Sequence, residues 1–122
     1  MDSRGNRATM SKRVSSIKVI SHRGYSSERP ENTISSFDWS IESGFPYIEL
    51  DIHLTADQVP IVMHDEYVDR TTDGFGAIKE FTLAQIKELD AGSWFGKEFI
   101  GETVPTLEEV LVRYSGKAHI FV

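Results

Sequence analysis

YIELDIHLTADQVPIVMHD, residues 47–65, is the stretch that decides how the rest of the chain is read. Its first half alternates: Ile48, Leu50, Ile52 and Leu54 face one way and Glu49, Asp51 and His53 the other. This pattern predicts a strand over 47–54 with one apolar and one ionisable face. Carboxylates at neighbouring positions on one strand face repel, and folding alone gives no reason for them. A hard cation held between Glu49 and Asp51 does. The polar segment 55–58 predicts a turn, and the apolar run 59–63 predicts the returning arm of a hairpin that ends in His64-Asp65. His64 would then come back to within a residue or two of Asp51. A cation site with a proton-transfer group beside it suits phosphate ester chemistry.

Working outward, residues 17–21 predict a short strand closed by His22-Arg23-Gly24. A helix is predicted to start near Asn32 or Thr33, both competent caps, with Ile34, Phe37 and Ile41 on one face and Gly44 as its stop. Strand, helix and strand within about 35 residues make a βαβ unit, the building block of parallel sheets. After Asp65 the pattern loosens. Residues 66–102 read as an excursion from the scaffold, with a polar loop at 70–76, a short helix capped by Thr82 and Gln85, and an irregular aromatic stretch at 90–96. Thr106 and Glu109 form a second capping box, opening a helix whose predicted buried stripe is Leu107, Val110, Leu111 and Tyr114. Gly116 ends it, and 118–122 predicts a last strand.

Taken singly, His22-Arg23, Glu49/Asp51 and His64-Asp65 each fit an ordinary polar strand end. Together they place three ionisable pairs at or near the ends of strand-forming runs. In a parallel α/β barrel such ends converge on one mouth. His53 is assigned no functional role, Trp39, Trp94 and Phe95 are assigned to packing, and Arg70-Thr71-Thr72 to a turn.

Composition narrows the function classes. The 122 residues allow one modest core, and 39% hydrophobic with 26% charged residues is ordinary for a globular domain. The net charge of −6 disfavours nucleic acid and anionic membrane surfaces as partners. With no cysteine, disulfides, thiolate nucleophiles and cysteine-ligated zinc are excluded. No apolar run approaches the ~20 residues of a transmembrane helix. Residues 1–16 are polar, lack an apolar signal core and predict a disordered leader, which points to a cytoplasmic location.

The chain resembles the glycerophosphodiester phosphodiesterase family. The matching segments are His22-Arg23-Gly24, Pro30-Glu31-Asn32-Thr33, Glu49-Leu50-Asp51 with Leu54-Thr55 and Asp57, His64-Asp65, Arg70-Thr71-Thr72, Leu89-Asp90-Ala91-Gly92, and Val104-Pro105-Thr106-Leu107-Glu108-Glu109. Each is weak alone; the series, in the family's order and spacing from about residue 17 onward, is specific. The resemblance implies a TIM-type (β/α) barrel, here about its first half, forming one domain over 17–122 with an insertion at about 66–102. It implies hydrolysis of a small-molecule glycerophosphodiester to glycerol 3-phosphate and an alcohol, with calcium or magnesium as cofactor. By position, Glu49 and Asp51 match the metal-binding carboxylates, His22 and His64 the general acid–base pair, and Arg23 an arginine that contacts the phosphate.

Family members carry a further metal-binding glutamate, followed by a lysine, on the strand equivalent to 119–122, and this sequence carries neither. Two expectations follow: an enzyme represented by its N-terminal half, or a catalytically silent barrel fragment acting as a binding or assembly module. A lysophospholipase D-like activity is a variant of the first. The open strand edges of a half-barrel would favour self-association.

Overall fold

The computed structural model describes residues 20–24 and 26–122, with the side chain of Ile20 left aside. The predicted leader over 1–16 and the first three residues of the predicted first strand lie outside the described residues. The elements in order are β1 (Ile20–His22), α1 (Ile34–Glu42), β2 (Tyr47–Glu49), β3 (Ile52–Leu54), β4 (Pro60–Val62), α2 (Leu83–Ile86), α3 (Leu107–Arg113) and β5 (His119–Phe121). Single 3-10 turns sit at Ile78–Glu80 and Lys97–Phe99.

β1, β2 and β5 form a parallel sheet in that spatial order, so α1 lies in one crossover and α3 in the next. The α/β class and the βαβ start are as the sequence predicts. Among the described residues the sheet does not close, and β1 and β5 are its edges. No helix there is long and apolar enough to cross a membrane.

The predicted strand over 47–54 is not one strand. It breaks at Leu50 and Asp51 into β2, in the parallel sheet, and β3, which pairs with β4 in a separate antiparallel sheet. The cause is a change of partner. Leu50 N–H still donates to the Phe121 carbonyl on β5, whereas the next carbonyl, that of Asp51, accepts from Met63 N–H beyond β4. Side-chain alternation continues through such a switch, so periodicity alone does not reveal it.

The hairpin turn is built from its own side chains. Thr55 Oγ1 donates to Asp57 Oδ1 (2.6 Å) and accepts from Val59 N–H (3.0 Å), and Gln58 takes φ +68°. Asp57 Oδ1 also accepts from Leu83 N–H at the start of α2, so the same turn anchors the excursion. Both predicted capping boxes, Thr82/Gln85 and Thr106/Glu109, are formed, and Thr33 caps α1.

Two apolar clusters share β4. Val62 joins Phe37, Ile48, Leu50, Val110 and Tyr114 between the parallel sheet and helices α1 and α3. Its neighbours Ile61 and Met63 point to the other side, into the core of the excursion with Val68, Ile78, Ile86 and Val104. The two-residue period of one short strand thus sews the excursion to the scaffold. Leu111 departs from the predicted stripe: it is 47% exposed, on the flank of α3 turned away from the buried Val110 and Tyr114. α3 is tied to α1 by Arg113, whose Nε and Nη2 donate to the Asp38 carboxylate (3.0 and 2.7 Å), with Tyr114 Oη donating to the same group (2.8 Å). Trp39 lies 4.1 Å from the Arg29 guanidinium, and Trp94 and Phe95 meet edge to face.

Candidate active site

The parallel register of β1 and β2 pairs His22 with Glu49, so both side chains leave the sheet on one face. His22 Nε2 lies 3.3 Å from Glu49 Oε1. The chain then turns sharply. Arg23 N–H donates to the Glu49 carbonyl (2.7 Å), Arg23 itself takes φ +59°, and Gly24 follows at φ +81°. This turn lays the Arg23 side chain across the end of β2, with Nε 3.8 Å from Asp51 Oδ2. His64 arrives from the hairpin, one residue beyond the Met63–Asp51 rung, as its spacing predicts. At the end of the sheet His22 thus pairs with Glu49 and Arg23 with Asp51, and His64 is linked to Arg23 through a chain of ion pairs by way of Asp65, Arg70 and Glu31.

One oxygen of each carboxylate, Glu49 Oε1 and Asp51 Oδ2, is shielded from solvent and makes no hydrogen bond among the described residues, its nearest charged neighbour being His22 Nε2 or Arg23 Nε at ion-pair distance; Arg23 Nε is equally shielded and makes no hydrogen bond. A buried, unsatisfied carboxylate oxygen is costly. Two of them, flanking one residue at a strand end, form a hard-oxygen pair that fits a divalent cation such as calcium or magnesium. Among the described residues, no group of three or more potential metal-ligating side chains is assembled. These two oxygens therefore supply only part of a coordination sphere.

Glu31, Asp65 and Arg70 lie outside the five residues singled out by sequence. Arg70 donates from Nε and Nη2 to Asp65 (both 2.9 Å) and from Nη1 and Nη2 to Glu31 (3.1 and 2.9 Å). Glu31 in turn lies 3.5 Å from Arg23 Nη1, and Asp65 Oδ1 accepts from His64 Nδ1 (2.8 Å). Hydrogen bonds from Arg70 hold the Asp65 carboxyl well below the usual carboxylate range against the opposing push of partial burial, and His64 adds to the effect. Arg70 thereby ties Asp65 to Glu31. His53, left without a role by sequence, donates from Nε2 to the His64 carbonyl (2.9 Å).

Asn32 is the other residue missed. It is only 3% exposed, takes φ +55°, and neither amide atom has a partner among the described residues. It borders a cavity of about 10 Å³ shared with Glu31, His64 and Thr71, room for one water-sized group. The left-handed backbone is the part that stability can report. Asn32→Ala is expected to lower the unfolding free energy by about 1 kcal/mol more than Asn32→Gly. Thermal denaturation of the two variants side by side checks it, and equal midpoints would remove backbone strain from the account.

Residues 22–122 match the profile of the family described as "Glycerophosphoryl diester phosphodiesterase family". A glycerophosphodiester phosphodiesterase of Caldanaerobacter subterraneus subsp. tengcongensis is 56% identical over 92 residues, which are 75% of this chain and 38% of that protein. The crystal structure of a glycerophosphodiester phosphodiesterase from Agrobacterium tumefaciens superposes with a TM-score of 0.83 at 43% identity, over 84% of this chain and 45% of the other. An Oleispira antarctica phosphodiesterase, solved in complex with the product sn-glycerol-3-phosphate, gives 0.82 at 43% identity, over 85% of this chain and 42% of that one. The chain thus spans about two-fifths of the length of the relatives it matches.

Proposed function

Since the chain belongs to the glycerophosphoryl diester phosphodiesterase family, we propose that it supplies the N-terminal part of a TIM-type barrel that hydrolyses glycerophosphodiesters to glycerol 3-phosphate and an alcohol. The domain would run from about residue 17 to 122, with 66–102 shaping the mouth. The observation that carries the reading is the pair of shielded, unbonded carboxylate oxygens of Glu49 and Asp51 beside His22 and Arg23. The glycerol 3-phosphate bound by the Oleispira antarctica relative supports the substrate class.

In this reading Glu49 and Asp51 hold a calcium or magnesium ion, which when bound offsets phosphate charge. Arg23 places a guanidinium at the phosphate. Of His22 and His64, one takes the proton from the attacking hydroxyl as the new P–O bond forms, and the other donates a proton to the departing alkoxide as the old bond breaks. Imidazole suits both tasks because its ordinary pKa, ~6.5, lies near working pH.

The test is release of glycerol 3-phosphate from glycerophosphocholine and glycerophosphoethanolamine by the 122-residue chain, with calcium, with magnesium and with chelator. Metal-dependent release is expected, and release that persists unchanged in chelator would overturn the cation's part. The length relation to the relatives and the two-carboxylate set favour a second reading, a silent fragment that needs the rest of a barrel. A folded chain with no turnover selects that reading, and light scattering on the same sample reports any self-association that restores activity. Cation binding can be followed separately. Glu49→Gln should weaken calcium binding, measured by titration calorimetry, on the order of a hundredfold, with excess metal restoring what is lost. Unchanged affinity would remove Glu49 from the site.

A further inference from the structure

His64 is held at two points: its ring donates to a carboxylate, and its backbone carbonyl accepts from a histidine ring. Its ring Nδ1 lies 2.8 Å from Asp65 Oδ1, and its own backbone carbonyl lies 2.9 Å from His53 Nε2. A carboxylate offers no proton, and neither does a carbonyl. The partners therefore fix both rings: His64 carries its proton on Nδ1, and His53 carries its proton on Nε2. The Nε2 edge of His64 makes no hydrogen bond among the described residues, so in the neutral ring it is the lone-pair side.

The grip is itself held. Arg70 takes both oxygens of Asp65 with Nε and Nη2, so the carboxylate cannot rotate away from the ring. The same guanidinium is bidentate to Glu31, whose side chain is 91% buried and which also faces Arg23. The result is one seam of alternating charge, Arg23–Glu31–Arg70–Asp65–His64. It runs from the loop after β1 to the loop after β4, elements 39 residues apart at the Glu31–Arg70 joint. Arg70, Asp65 and His64 are partly exposed, and ion pairs at that exposure add little stability, whereas Glu31 at the joint is buried. Their value here is geometric.

We propose that Asp65 and Arg70 are positioning residues that lock His64 in its Nδ1–H tautomer, leaving Nε2 as the atom available for proton transfer, while His53 fixes the His64 backbone from across the hairpin. The proposal rests on His64 acting in proton transfer, but its test does not need turnover.

The experiment is ¹⁵N spectroscopy of the histidine-labelled 122-residue chain, at a pH well above the usual imidazole range. The chain has four histidines, and His64→Gln and His53→Gln assign the two of interest. A pyrrole-type Nδ1 and a pyridine-type Nε2 are expected for His64, with the reverse for His53. In Asp65→Ala the His64 ratio should swing by about tenfold or more toward the Nε2–H form that free histidine prefers. Asp65→Asn, whose amide can accept or donate, should fall between. Arg70→Met should weaken the preference without reversing it. The His53 signals serve as the internal record that the hairpin remains folded in each variant, and if Asp65→Ala loses them, Asp65→Asn decides. A wild-type His64 protonated on Nε2, or a ratio unmoved by either Asp65 variant, would overturn the proposal. Turnover lost in the wild type with the tautomer as expected would count against the hydrolase reading alone.

Discussion

His22→Ala and His64→Ala should each cut glycerophosphodiester turnover by about 10²- to 10⁴-fold while leaving cation affinity within a few-fold of wild type. The two readouts separate because different atoms carry them. In the proposed site the cation rests on the carboxylate oxygens of Glu49 and Asp51, and neither imidazole is assigned to it. His22 touches Glu49 only through Nε2 at 3.3 Å, so its removal leaves the carboxylate in place. The His22 side chain is 63% exposed, and substitutions at such positions seldom move stability by more than about 0.5 kcal/mol. A rate loss of this size could not then be attributed to unfolding. Because the proposed mechanism uses the two imidazoles in one displacement, the double variant should be little slower than the slower single one. Initial rates at saturating metal, with calorimetric titration of the same samples, check both halves. A variant that retains full turnover would take its histidine out of the acid–base pair.

Gly24→Ala is expected to have the largest effect on stability. Gly24 follows directly on Arg23 at φ +81°, a left-handed backbone that a Cβ disfavours. An added Cβ would also lie 2.9 Å from Phe37 Cδ1 and from Ser36 Cβ, and closer still to Ser36 Oγ, all in the first turns of α1. Phe37 and Ser36 are fully buried, so neither can step aside freely. Left-handed strain and overpacking together suggest about 2–5 kcal/mol, or roughly 10–30 °C in melting temperature for a domain of this size. The damage should reach the site, because the bonds that frame this turn are those that aim Arg23. Arg23 N–H donates to the Glu49 carbonyl, and the Arg23 carbonyl accepts from Asn32 N–H. Thermal unfolding by circular dichroism measures the first effect. A melting temperature within a few degrees of wild type would show that α1 can withdraw from the turn.

How much of this was legible in the sequence differs by kind of interaction. Local chemistry read directly. Thr82 with Gln85 and Thr106 with Glu109 are three residues apart, and each box formed where predicted. The return of His64 to Asp51 also read directly, because turn residues and two apolar arms set hairpin register. The break at Leu50–Asp51 did not. Alternation reports which face a residue is on, and the faces are unchanged when the hydrogen-bond partner passes from Phe121 to Met63. Leu111 was misplaced because helical spacing gives a face but not the width of what covers it. The Glu31–Arg70 joint spans 39 residues and has no periodicity to announce it; only the presence of both residues within matched motifs hinted at it. Of the two competent caps that the sequence offers, Thr33 fills the place, and nothing in the sequence announces that the Asn32 amide is buried.

The split strand also bears on how the molecule would come apart. Glu49 is held by the parallel sheet and Asp51 by the hairpin, so the two carboxylates ride on separate sheets, with one residue, Leu50, between them along the chain. A fluctuation that lifts the hairpin from the sheet carries away Asp51 and His64 together, while His22, Arg23 and Glu49 stay behind. The cation pair would therefore dissolve in a partial opening that leaves the parallel sheet standing. By the same linkage, a bound cation would act as a rivet between the two sheets, and calcium should slow amide exchange at Asp51 and Met63 more than within β1.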